Sequence, residues 1–265
     1  MSNPSIQELL DAGVHFGHLT KKWNPRMAPF IFMEQNGIHL IDVNKTKSKL
    51  DDAAAAMKNI AKSGRKILFV ATKKQAKEII STEAERVNMP YAVERWLGGM
   101  MTNFATVRKS IKKMQSLDKL SKDGTYTTIS KKERLMMDRE KAKLTNVLGG
   151  IEDMNRLPAA LFIVDVKREH IAVAEALRLN IPIFGIVDTN SDPTNIDYPI
   201  PANDDAAKSI SIITKTITDA IAEGLQVRKR EKEETEAAKA KEEKATETET
   251  ANTEEVSKET EASAE

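Results

Sequence analysis

Residues 159–187 read AALFIVDVKREHIAVAEALRLNIPIFGIV, and this stretch decides the fold. Ala159 to Val164 is an unbroken apolar run ending in Ile-Val. A run of that length is too short for a core helix and has the pattern of a strand buried on both faces. Arg168 to Leu179 follows with apolar residues at helical spacing, and Ile183 to Val187 is again a strand. Strand, amphipathic helix and strand in succession predict a parallel pair joined by a crossover helix.

The same alternation extends in both directions. Toward the carboxyl end, Tyr198 to Ile200 predicts a short strand, and Asn203 to Val227 a long helix capped by Asn203, with Asp204 and Asp205 in its first turn. Toward the amino end, Lys45 to Ser63 is helical as far as Gly64, and Lys66 to Ala71 is a buried strand. Thr72 with Gln75 has the spacing that caps another helix, and Tyr91 to Val93 adds a short strand. The expected fold is an α/β, doubly wound, mainly parallel sheet with helices on both faces.

Two additions flank this sheet. Ser5 and Glu8 have capping-box spacing, so a short helix opens the chain and Gly13 stops it. After a loop, Phe30 to Met33 and Ile38 to Ile41 flank Asn36-Gly37, which predicts an antiparallel β-hairpin. Between the halves of the sheet, Phe104, Val107, Ile111, Met114, Leu117 and Leu120 step by three or four residues. Met137, Leu144, Leu148 and Ile151 do so with one turn skipped, and Ser130 with Glu133 caps their helix. Ser121 to Thr128 joins the two, so residues 102–150 are expected to form an inserted, protruding α-helical hairpin of coiled-coil type. Residues 1–101 and 151–227 would then form the sheet domain, and residues 228–265 a tail.

Charge separates these parts. The 265 residues hold 41 basic and 40 acidic side chains, but residues 231–265 hold 5 lysines against 13 glutamates. The body therefore carries a net +9 and the tail −8. Arg108 to Lys143 alone has 12 basic and 5 acidic residues, so most of the excess lies on the hairpin. A basic body favours a polyanionic partner. The tail, with Val256 as its one branched aliphatic residue, cannot bury enough to fold alone and is expected to be a disordered acidic extension with transient helix. The absence of cysteine excludes disulfides, thiolate zinc sites, iron–sulfur clusters and cysteine nucleophiles, and suits a reducing compartment such as the cytoplasm. No targeting segment or membrane span is expected.

Candidate contact residues follow from chemistry. From His15 to Arg26 the chain reads HFGHLTKKWNPR, interleaving rings and cations. Lys21, Lys22 and Arg26 suit phosphates, while His15, His18 and Trp23 can stack on splayed bases. For Phe16 and Trp23, packing against the hairpin is the favoured reading. A metal centre joining the histidines to Asp188 or Asp192 is disfavoured, because only His39 and His170 remain elsewhere. Arg95, beside Gly98-Gly99, and Asn103 are further candidate RNA contacts, and Thr102 with Asn103 suits the cap of the first hairpin helix. On the hairpin, Arg108, Lys109, Lys112, Lys113, Lys131, Lys132 and Arg134 are candidate phosphate contacts. Asp165 and Asp188 each follow a strand, at the edge where an α/β enzyme binds its ligand. That keeps alive an enzyme acting on a phosphorylated small molecule, although no nucleotide-binding or hydrolase motif is present. A protein adaptor working through the hairpin is a further alternative.

Four stretches carry a family resemblance: Leu9 to Arg26 with GVHFGH, Trp96 to Asn103 with LGGM, Pro158 to Ala176 with LFIVD, and Ile181 to Ile200 with GIVDTNSDP. In this order and spacing they resemble the bacterial small-subunit ribosomal protein S-two (S2) family over about residues 5 to 226. The resemblance implies a structural RNA-binding protein with no reaction of its own, lying between head and body of the small subunit and joining late in assembly. It implies no cofactor or metal. It implies small-subunit ribosomal RNA and neighbouring ribosomal proteins as partners, among them the multi-repeat protein S-one, with a single copy in the ribosome.

Overall fold

The computed structural model describes the backbone of residues 4–122 and 130–262, and side chains of 4–120 and 130–234. The expected link from Ser121 to Thr128 lies largely outside the described residues. The chain opens with α1 (Ile6–Asp11), where Ser5 and Glu8 form the full capping box. Strands β1 (Phe16–Leu19), β2 (Ile31–Gln35) and β3 (Ile38–Ile41) make a three-stranded antiparallel sheet in the order β1-β3-β2. Asn36 and Gly37 take φ of 53° and 74°, as the two-residue turn between β2 and β3 requires. The expected hairpin is present, but part of the presumed first loop is a third strand. Sequence pattern misses β1 because it has only four residues, Phe-Gly-His-Leu, with no apolar alternation.

The main sheet is parallel throughout, in the order β5-β4-β6-β7-β8. Its strands are β4 (Ile67–Val70), β5 (Tyr91–Ala92), β6 (Ala160–Val164), β7 (Ile183–Val187) and β8 (Tyr198–Pro201). Helices α2 (Val43–Lys62), α3 (Lys77–Arg86), α6 (His170–Arg178) and α7 (Ala207–Ala262) cover it, and α4 (Phe104–Lys122) and α5 (Lys131–Leu148) form the inserted pair. Alternate residues of each strand serve opposite cores. Ile67, Phe69, Phe162 and Phe184 join the core under α2, α3 and α7. Leu68, Val70, Leu161 and Ile163 join the core under α6 and the root of the hairpin. Burying each of the three fully enclosed phenylalanines contributes about 1.5–3 kcal/mol.

Three helix starts or ends differ from expectation. Thr72 does not cap α3, which begins at Lys77 with Ala76 before it. Its amide and hydroxyl instead meet Glu169, from the far side of the sheet crevice. Asp204 and Asp205 lie ahead of α7 rather than inside its first turn. Asn203 does accept from the amides of Asp205 and Ala206, at 2.8 and 3.2 Å. Beyond Val227 the backbone of α7 stays helical to Ala262, where composition predicts a disordered tail. That segment is rich in Ala, Glu and Lys, which favour helix once a preceding turn supplies the nucleus.

Candidate nucleic-acid interface

Strand order reverses between β4 and β6, so the crevice outside their carboxyl ends is where this type of sheet receives ligands. Here the protein's own side chains form an ion cluster, beside a cavity of about 370 Å³ lined by Thr72, Glu94, Arg95, Arg168 and Glu169. Lys73 Nζ, just after β4, lies 2.7 Å from Asp204 Oδ1, 2.7 Å from Asp205 Oδ1 and 3.4 Å from Asp165 Oδ2. Burial works against its charge, but the bonds to Asp204 and Asp205 and the charges of Asp204 and Asp165 outweigh that and raise its pKa. Next to it, buried Glu169 accepts from Thr72 N at 3.0 Å, and Arg168 Nε donates to Thr72 Oγ1 at 2.9 Å. Asp165, one of the two edge aspartates, is thus committed to an internal ion cluster.

Asp188, the other, is 1% exposed and joins the first loop to the sheet. Its Oδ2 meets His18 Nδ1 at 3.0 Å, and its Oδ1 accepts from Thr189 N. The Asp188 bond raises the His18 pKa, more than burial lowers it, and favours the imidazolium. Burial pushes the Asp204 carboxyl up, as do the charges of Asp188 and Asp165, against the pull of Lys73. Among the described residues, His18, Asp188 and Asp204 are the group whose donor atoms converge closely enough to hold a metal, within 4.8 Å of one another. His15 and Asp192 stand apart from it. The His15 ring packs 4.1 Å from that of Phe16, with burial lowering its pKa, and Asp192 pairs with Arg26.

The first loop is clamped to the β7–β8 connection. His18 N donates to Thr189 Oγ1 and Asn24 N to Thr189 O, each at 2.8 Å. Gly17 permits this approach, since a Cβ there would lie 2.6 Å from the Thr189 methyl and 2.9 Å from the His39 carbonyl. Lys21 and Lys22 are exposed, with no ion pair among the described residues. The favoured reading of Phe16 and Trp23 as core packed against the hairpin holds in part: Phe16 pairs with Leu40 of β3 and the Trp23 ring packs on His39, but they remain 49% and 38% exposed. Phe16 lies on β1 and Trp23 in the loop that follows it, each with one part of its ring left to solvent.

The hairpin springs from a loop organised by one buried carboxylate. Glu175, on α6, accepts from Trp96 Nε1 at 3.0 Å, Gly99 N at 2.8 Å, and Met101 N and Thr102 N at 2.9 Å each. Burial raises its pKa, but these bonds from Thr102, Met101, Trp96 and Gly99 prevail and hold it below the usual carboxylate range. Sequence reasoning passes over Glu175, because a glutamate on an amphipathic helix reads as solvated charge. Thr102 therefore serves Glu175, while Asn103, directly before α4, accepts through Oδ1 from Thr106 Oγ1 at 2.9 Å. Arg95, directly before this loop, is exposed and unpaired among the described residues.

On the hairpin itself, Val107, Ile111 and Met114 are buried, and most of the basic residues are exposed. Lys109, Lys112, Lys131 and Lys132 are exposed without ion pairs among the described residues. Lys113 pairs with Glu140 across the hairpin, Arg134 is half-buried, and Arg108 donates to Asn155 at 3.3 and 3.4 Å. The lysines the sequence groups together therefore divide into free and internally paired sets.

A parallel sheet with an ion cluster at its switch point, bearing a basic helical projection, defines an α/β scaffold that presents an exposed cationic surface. No helix among the described residues is long and apolar enough to cross a membrane. The family described as Ribosomal protein S2 matches residues 9–224, and the chain belongs to it. It is 67% identical over 227 residues to the small ribosomal subunit protein uS2 of Cytophaga hutchinsonii, covering 86% of this chain and 89% of that one. It is 62% identical over 232 residues to uS2 of Parabacteroides distasonis, covering 88% and 84%, and 63% identical over 228 residues to uS2 of Flavobacterium johnsoniae, covering 86% and 90%. This is a family of structural proteins, and the chain is not an enzyme.

Proposed function

We propose that the chain is a structural constituent of the small ribosomal subunit in the cytoplasm, binding its ribosomal RNA by electrostatic and shape recognition. The observation that carries this reading is the row of hairpin lysines, Lys109, Lys112, Lys131 and Lys132, exposed and without internal partners. Unpaired cations on a projecting element are what phosphate binding requires, and they hold the protein in register without reading bases. Lys21, Lys22 and Arg95, exposed on the sheet domain, add cations of the same kind, and residues 102–150 act as its inserted arm. A place between head and body, late entry into the subunit and docking of protein S-one belong to this reading through the family resemblance.

The test is co-sedimentation of the full chain with small subunits depleted of their own copy, across a salt series. Saturation near one copy per subunit, with affinity falling steeply as salt rises, is expected. Binding that tolerates salt and survives ribonuclease would instead favour a protein adaptor.

A further inference from the structure

Outside the ion cluster, the carboxyl edge of the sheet carries a groove of about 630 Å³ between the first loop and α6. Its size falls in the roughly 300–1,000 Å³ range of small-molecule sites. One wall is a stripe of α6, where His170, Val173, Ala174 and Leu177 recur at helical spacing. The facing wall holds Trp23, whose ring packs against His39 at 5.0 Å with a 44° tilt. The groove is preformed, because Asn24 N is bonded to Thr189 O and Arg26 to Asp192.

The charges around it are one-sided. Lys22 and Lys167 line it without an ion pair among the described residues. The His170 Nδ1 lies 3.2 Å from the Arg168 carbonyl, which leaves Nε2 as the remaining polar atom of the ring. The one carboxylate in the lining, Asp192, is already held by Arg26. Asn190 and Asn195 add side-chain amides, the groups that read base edges. An apolar floor, an exposed indole, two unpaired ammonium groups and base-reading amides together match a base with its phosphate.

We propose that this groove receives an unpaired nucleotide of RNA, with the base between Trp23 and the α6 stripe and the phosphate on Lys22 and Lys167. The assignment deepens the RNA reading above and rests on it. A duplex cannot enter, because its bases are stacked and paired, whereas a splayed nucleotide presents both faces. The sequence motif around Trp23 thus gains a function distinct from the hairpin: the hairpin grips backbone, and the groove selects a single-stranded element.

The experiment uses the full chain and two probes, a single-stranded oligouridylate of about ten nucleotides and a blunt duplex with the same number of phosphates. Tryptophan fluorescence reads the groove, since Trp96 is only 7% exposed and Trp23 is accessible. The single strand is expected to quench Trp23 and the duplex is not. Lys167→Glu, on an exposed residue, and Trp23→Ala are each expected to weaken single-strand binding about fivefold or more, read by the anisotropy of an end-labelled strand because the Trp23 variants lack the reporting indole. Trp23→Phe should keep most of it, and hairpin-driven duplex binding should be unchanged in all three. Equal quenching by both probes, or unaltered affinity in both Lys167→Glu and Trp23→Ala, overturns the proposal. Binding to depleted subunits, measured in parallel, separates the two readings: if it persists while the oligonucleotide leaves Trp23 unquenched, only the groove assignment fails. Protection of Trp23 in the subunit that survives ribonuclease would assign the groove to a protein and overturn it as well.

Discussion

Glu175 accepts five hydrogen bonds, four from the segment Gly99 to Thr102 and the indole before it, and a fifth from the Thr102 hydroxyl. Four of the donors are backbone or indole N–H groups, with no alternative partner at the hairpin root. Glu175→Ala is therefore expected to destabilise the protein by about 3 kcal/mol, because it strands several donors in a site that solvent reaches poorly. Urea unfolding measures this, and a loss below about 0.5 kcal/mol would mean that the loop holds its shape without the carboxylate. The same residue predicts a pH dependence. Its folded pKa lies below the ordinary value of 4.5, so the unfolded chain takes up the proton first as acid is added. The stabilisation is complete above the ordinary value and drains away as pH falls toward the folded one. The difference in unfolding free energy between wild type and Glu175→Gln should be flat from about pH 7 to 5 and shrink at lower pH. A difference that grows on acidification would contradict the lowered pKa.

At the scale of elements, the hairpin separates charge that works outward from charge spent on its own fold. Lys113 is tied to Glu140, so reversing it places like charges across α4 and α5 and confounds binding with stability. Lys109 and Lys112 have no such partner among the described residues. Lys109→Glu with Lys112→Glu should leave the melting temperature unchanged, weaken ribosomal RNA binding, and lower the slope of log affinity against log salt by about 2. An unchanged slope would place the phosphate contacts elsewhere. The elements themselves were largely legible, because buried parallel strands such as Ala160–Val164 and capped amphipathic helices such as Ile6–Asp11 announce themselves locally. The misreadings share one cause. Thr72 has the spacing of a cap but is bonded to Glu169, 97 residues away, and β1 exists because β3 pairs with it. Local pattern holds no record of a distant partner.

For the whole molecule, the site was legible as composition and not as geometry. Basic loop and basic hairpin are visible in the sequence, whereas the ion cluster of Lys73, Asp165 and Asp204 at the sheet edge arises only when three separate segments meet. The same holds for charge balance, since a net +1 conceals a basic body attached to an acidic extension. Glu231 still belongs to the body, paired with Lys62 at 2.5 Å. Residues 235–265 hold 10 glutamates and 4 lysines, so removing them changes the net charge from +1 to +7. An extension of that sign repels polyanions at long range, which penalises weak, non-cognate RNA more than a shape-matched site. A chain ending at Glu234 is therefore expected to bind unrelated RNA at least about fivefold more tightly at low salt, with the gap closing as the Debye length contracts. Binding to depleted small subunits should change less, because those contacts are made at short range. Fluorescence titration of both chains at about 50 and 500 mM salt decides it. Equal affinities at low salt would show that the extension does not screen the body, and a gap that persists at high salt would show a specific contact rather than a field.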